Sequence, residues 1–184
     1  MMFQRCRPFA FALAIMTFVV PAAHGSDWYV AGRGGYAADS GFGVAGAIGR
    51  DWIWPSNYAA DVRGELEVAI RRNETDNAAI GYVWSAAEMA NVYFDIHTAI
   101  HELSPYIGFG LGLVSADNGD DTDHAAAYQG MLGLRWRLRR TTSLIAEYRF
   151  ITAPGLTFQG AGGTTSASTD YQTHHVFLGV SFGF

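Results

Sequence analysis

Lysine is absent from all 184 residues, so the twelve basic residues are all arginines. They are scattered through a chain of formal charge −5. No concentrated basic face of the kind nucleic-acid binding requires can be drawn from them, and nucleic acid is set aside as a partner. Cysteine occurs once, at Cys6. Its position ahead of the first apolar run rules out a lipoprotein cysteine, and a single thiol rules out an intramolecular disulfide. The chain also lacks an apolar run of the roughly 20 residues that a membrane-spanning helix needs. The longest run, Phe9 to Val20, is well short of that. Proline is sparse, no tandem repeat is present, and only Gly160 to Ser168 approaches low complexity.

The one apolar run has a recognisable setting. Arg5 and Arg7 precede it, Pro21 breaks it, and the small-x-small pattern Ala23, His24, Gly25 follows. This is the layout of a secretory signal peptide, so residues 1–25 are expected to be removed and residues 26–184 to form the mature domain. Losing Arg5 and Arg7 takes the formal charge from −5 to −7 and removes Cys6, leaving no thiol chemistry in the mature protein.

Alternation of apolar with polar or small residues dominates what remains. The segment Asp61 to Arg71 is the clearest case, with Val62, Leu66, Val68 and Ile70 in one phase and Asp61, Arg63, Glu65, Glu67 and Arg71 in the other. A helix of period 3.6 would mix these residues, whereas a strand of period 2 sorts them onto opposite faces. Similar units are Trp28–Tyr36, Phe42–Trp52, a strand ending at Val92–Ile96, Tyr106–Val114, Tyr128–Leu138, Leu144–Ile151 and Tyr171–Phe184. Eight such units predict an all-β fold, an eight-stranded antiparallel transmembrane β-barrel, eight being the smallest usual number.

The alternative arrangement, a soluble barrel with its polar phase in water, conflicts with composition. That phase contains Gly43, Ala45, Ala47 and Gly49 in one strand and Gly108, Gly110 and Gly112 in another. Such residues make a poor solvent surface but suit a narrow lumen that needs small side chains opposite large ones. The charged residues of the same phase, Arg63, Glu65, Glu67, Arg71, Arg135, Arg137, Glu147 and Arg149, are then expected to share the interior as a salt-bridged lumen cluster. Paired and hydrogen-bonded, they offset much of the cost of leaving water. Glu88 falls in the lipid-facing phase, where a charge is costly, and is expected near an interface or a bulge.

The last strand ends on an aromatic residue, with Val176, Leu178, Val180, Phe182 and Phe184 in one phase. This series resembles the C-terminal signal by which outer-membrane barrels are recognised for insertion. The segment Met89-Ala90-Asn91-Val92-Tyr93-Phe94-Asp95 and the segment Pro105-Tyr106-Ile107-Gly108-Phe109-Gly110-Leu111-Gly112 resemble the opacity-like small outer-membrane β-barrel proteins. So do Tyr128-Gln129, Gly133, Arg135 and Glu147-Tyr148-Arg149-Phe150. The resemblance covers most of the mature chain and implies the OmpA-transmembrane-like, porin-family architecture in the outer membrane of a Gram-negative bacterium. It implies insertion by the barrel-assembly machinery and contact with outer-membrane lipids and lipopolysaccharide. It is poorly specific for activity, because such proteins include surface antigens, adhesins and envelope stabilisers.

Both termini of an even-stranded barrel lie on the periplasmic side. The links near Asp39, at Arg72–Asn77, at Asp117–His124 and at Ala153–Asp170 are then extracellular, where any external ligand would be met. Those near Pro55, at His97–Ser104 and at Arg139–Thr142 are periplasmic. Three constellations carry residue types capable of chemistry. Asp117, Asp120, Asp121, Asp123 and His124 do not have the spacing of a calcium loop. His97, His101 and Glu102 fail the zinc-protease motif because Pro105 occupies the needed place, and they read as turn residues. His174 and His175 face opposite sides of a strand. Lipid A 3-O-deacylases share the architecture but use a His-x-Ser pair, and here Phe150 and Thr152 stand in those positions, leaving no base beside the hydroxyl. The reading is a non-enzymatic structural or surface-interaction protein with no cofactor, metal or catalytic residues; a narrow diffusion pore and a lipid A-modifying esterase are the alternatives.

Overall fold

The structure, a computed structural model, describes residues 27–37, 41–52, 59–74, 82–117, 122–159 and 166–184. The expected signal peptide lies outside these residues. So do Asp39, Pro55, Asn77, Asp120, Asp121 and most of the Gly160–Ser168 stretch.

Eight strands follow one another in chain order: β1 (Trp28–Ala37), β2 (Phe42–Trp52), β3 (Ala60–Glu74), β4 (Tyr82–Ile96), β5 (Leu103–Asp117), β6 (Thr122–Arg139), β7 (Thr142–Gln159) and β8 (Ser166–Gly183). Each pairs antiparallel with its neighbours, and β1 pairs with β8 to close the barrel. Closure leaves no unpaired strand edge through the lipid-facing belt, which is what lets backbone polar groups cross a membrane. The register measures the stagger. A path of directly paired residues from Trp84 on β4 runs through Arg72, Phe42, Tyr36, Val176, Tyr148, Leu132 and Ile107. It re-enters β4 at Phe94, ten residues further along the strand. That shear on eight strands corresponds to a tilt of about 40°.

Strand assignments from alternation hold in number, order and phase, and the limits of β2 match. The other strands are longer than expected. β3 runs on to Glu74, β4 begins at Tyr82, and the β5–β6 and β7–β8 hairpins extend past Asp117 and Ala153. Within the segments expected as loops, residues 117, 122–124, 153–159 and 166–170 are therefore strand. Alternation fades at these polar outer ends because neither face there is buried in lipid, so periodicity cannot mark where pairing stops. At the other end β8 stops at Gly183, yet the Phe184 N–H still donates to the Trp28 carbonyl at 3.0 Å.

The faces divide as expected. Leu66, Val68, Leu111, Leu113, Leu132, Val176 and Leu178 point outward and are exposed, while Glu65, Glu67, Arg149 and Phe177 point inward and are buried. The outward band is bounded by aromatic residues. Trp28, Trp52, Trp136 and Phe182 lie toward the end carrying the termini, and Tyr36, Phe42 and Trp84 lie toward the other. On β2 the span from Trp52 to Phe42, at about 3.3 Å per residue and 40° tilt, projects to about 25 Å, the height of a barrel's lipid-facing belt. Glu88 is exposed on the outward face, opposite Val68 and Leu113, in ladders that run without a bulge, so the bulge expected as one alternative is not there. It lies four residues from Trp84, toward the outer aromatic boundary, as the other alternative has it.

Candidate functional site

The lumen is filled from the strands by a simple pairing rule. Large inward residues are registered directly against glycines: Tyr29 with Gly49, Tyr93 with Gly108, Tyr106 with Gly133, Phe177 with Gly35, Arg33 with Gly179 and Arg71 with Gly43. A Cβ at Gly49 would lie 2.3 Å from Tyr29, and one at Gly133 would lie 2.4 Å from Tyr106. Each glycine thus opens the space into which its neighbour's side chain turns.

In the half nearer the termini these side chains form a continuous ionic network. Arg33 donates to both carboxylate oxygens of Glu65, at 2.7 and 2.8 Å, and reaches Glu67 at 3.3 Å. Arg149 bridges Glu67 and Glu147. Arg63 donates to Glu65 at 3.0 Å and to Asp95 at 2.9 and 3.2 Å. Its guanidinium also sits among three phenol rings, 4.1 Å from the centroid of Tyr93, 5.0 Å from Tyr106 and 5.9 Å from Tyr29. The phenols complete the circuit: Tyr29 and Tyr93 donate to Glu65, and Tyr106 donates to Glu147. Charge-assisted bonds to both oxygens of a carboxylate, with rings over the cation, are the arrangement that offsets ion desolvation best.

Of the eight charges expected in the lumen, Arg63, Glu65, Glu67, Glu147 and Arg149 lie in this network. Arg71 is fully buried but higher in the barrel, toward the outer end. Arg135 lies at the mouth near the termini, paired with Asp51 at 2.9 and 3.0 Å. Arg137 corrects the reading. It is exposed, next to the register shift between Arg137 and Arg139, because β6 there runs past the end of the filled interior although it is still paired with β7. It lines a small cavity at the mouth with Asp51, Asp61, Asp95, Glu102, Ser104 and Arg135. Arg33, Asp51, Asp95 and the three tyrosines belong to the site although alternation does not single them out. Arg33 sits in Gly32-Arg33-Gly34-Gly35, a stretch too poor in apolar residues to announce its phase.

The assembly series is placed on the lipid side, with Val176, Leu178 and Phe182 exposed and Val180 and Phe184 partly so. His97 is an exposed turn residue 3.0 Å from Asp61, and His101 is an exposed turn residue too. His124 lies 2.7 Å from the Ser115 hydroxyl. His175 is buried and His174 faces outward, as the alternation requires. At the positions compared with the deacylases, the ring of Phe150 lies 5.0 Å from that of His174. The His174 Nδ1 is engaged by the Tyr148 hydroxyl at 2.6 Å.

Small barrels of this architecture have known counterparts. A family model described as "Surface antigen" matches residues 41–182, most of the barrel. The chain belongs to this surface-antigen family. No curated protein matches it in sequence. Among solved structures, Neisserial surface protein A shares 17% identity at a TM-score of 0.57, covering 88% of this chain and 100% of the other. The N-terminal β-barrel domain of OprF from Pseudomonas aeruginosa shares 14% identity at 0.52, over 88% and 100%. The outer membrane enzyme PagL shares 13% identity at 0.53, over 85% and 99%. These likenesses establish the small outer-membrane barrel fold; at such identity they assign no activity to a member of the surface-antigen family.

Proposed function

We propose that this member of the surface-antigen family is an outer-membrane surface protein whose barrel is a closed anchor and whose outward-facing end meets its partners, without catalysis. One observation carries the reading: Arg33, Glu65, Glu67, Glu147 and Arg149 are joined across the lumen by hydrogen bonds and are each at most 4% exposed. An ion traversing the barrel would have to break several charge-assisted bonds at once, at a cost of several kcal/mol each. The partners in this reading are outer-membrane lipids and lipopolysaccharide around the belt, an extracellular ligand at the hairpin ends, and the barrel-assembly machinery during insertion. Cleavage after residue 25 delivers the chain, and the series ending at Phe184 directs its assembly.

Planar-bilayer recording of the reconstituted protein tests the closed lumen, with no steady current expected. Reproducible single channels from the wild type would overturn it in favour of a diffusion pore. Removing Phe184 is expected to lower the amount of heat-modifiable barrel in outer-membrane fractions, and equal amounts from deletion and parent would remove the assembly role.

A further inference from the structure

Arg50 is on the outward face of β2, two residues from Trp52 and directly paired with Trp28 on β1. Its guanidinium carbon lies 5.8 Å from the Trp28 ring centroid and 5.9 Å from that of Trp52. The third member is Gly64, the residue paired with Arg50 on β3. A Cβ there would come within 2.8 Å of the Trp52 ring, so the glycine is what permits the indole to lie down on the sheet beside the arginine. Both indoles remain roughly half exposed, and no carboxylate engages Arg50 among the described residues. The inward arginines of the network, by contrast, are each bonded to acids.

The site lies in the aromatic rim at the end that carries the termini. In an even-stranded barrel this end is periplasmic, and the aromatic rim lies at the level of the lipid headgroups. An arginine there extends toward the interface along its apolar stem. With the rings against the guanidinium, its N–H edges are left to a planar or tetrahedral oxyanion. We propose that Arg50, held by Trp28 and Trp52, is a binding site for the phosphate diester of a phospholipid in the inner leaflet.

The test is native mass spectrometry of the whole barrel released from detergent micelles carrying phosphatidylglycerol, with diacylglycerol of the same chains as the lipid without phosphate. Wild type is expected to retain phosphatidylglycerol and not diacylglycerol. Arg50→Gln, with folding checked by heat-modifiable migration, is expected to lower retention about fivefold or more, the scale of removing one charge-assisted hydrogen bond. Arg140→Gln, which removes an exposed arginine at the same end, should leave retention unchanged. The double substitution Trp28→Leu, Trp52→Leu keeps the charge and should lose part of the retention, so the proposal stays testable if Arg50→Gln fails to fold. Equal retention by wild type and Arg50→Gln, or an equal loss in Arg140→Gln, would overturn it. Displacement of the lipid by millimolar inorganic phosphate would also overturn it, assigning the site to the free anion.

Discussion

The two halves of the lumen are built on opposite principles. The half nearer the termini is charged and aromatic, with Arg33, Arg63 and Arg149 interleaved with Glu65, Glu67, Glu147 and Asp95 under three tyrosines. The outer half is lined by Ala45, Ala69, Ala87, Ala125, Ala127 and Ala153, with Met89 and Val114. Here Ser85 Oγ, Gln129 Oε1 and His175 Nδ1 have no hydrogen-bond partner among the described residues, as Asn91 Nδ2 and Arg33 Nε have none in the first half. One half owes its order to directional bonds and the other to small volume. In a tube whose width is set by strand number and shear, ion pairs and alanines are two ways of filling the same cross-section.

The sharpest way to break the comparison is to strand a charge in the first half. Glu67→Leu leaves Arg149 and Arg33 short of an acceptor and is expected to cost about 3–5 kcal/mol in folding titrations into bilayers. A double-mutant cycle with Arg149→Met should show strong coupling, because the two residues act as one unit. Next in size is the face reversal on the same strand. Leu66→Arg, next to Glu67 but pointing into lipid, is expected to lose about 2–4 kcal/mol in the same titration. If Leu66→Arg were harmless and Glu67→Leu favourable, inside and outside would have to be exchanged.

Gly108→Ala addresses the pairing rule. Its Cβ would fall 2.5 Å from Tyr93, and overpacking of this kind costs about 1–3 kcal/mol. Gly46→Ala on the outward face meets nothing within 4 Å and should stabilise by about 0.5–1 kcal/mol in thermal or urea unfolding. The smallest change is Glu88→Leu. Removing an outward carboxylate from the belt should favour insertion by about 1 kcal/mol, measured by the urea midpoint of the inserted barrel.

Strand number, order and facing were legible in the sequence because lipid on one side and packed side chains on the other impose a period of two through the belt. Val62 to Ile70 spells this out, and so does Val176 to Phe182. The site was half legible for a related reason. Alternation says that Glu65 points inward but not which arginine meets it, since the partner depends on the register between strands and the shear around the barrel. Arg33 shows the limit. Its neighbours are glycines, which declare no phase, and its role follows only from Gly179 across the β1–β8 seam. Arg137 shows the converse, a residue in the right phase but past the end of the interior. Glu88 is read correctly in phase, yet nothing in the ladder shields it.

β1 has ten residues, whereas β6, β7 and β8 have eighteen each, and all end near a common level on the side of the termini. The β7–β8 wall therefore stands about 20 Å taller than β1, at about 2.5 Å of height per tilted residue. Among the described residues the outward rim is oblique, low at β1–β2 and high at β7–β8. In the proposed surface role a large molecule would come low over β1 and β2 and meet the raised β7–β8 wall, so strand length would set its orientation before any side chain touched it.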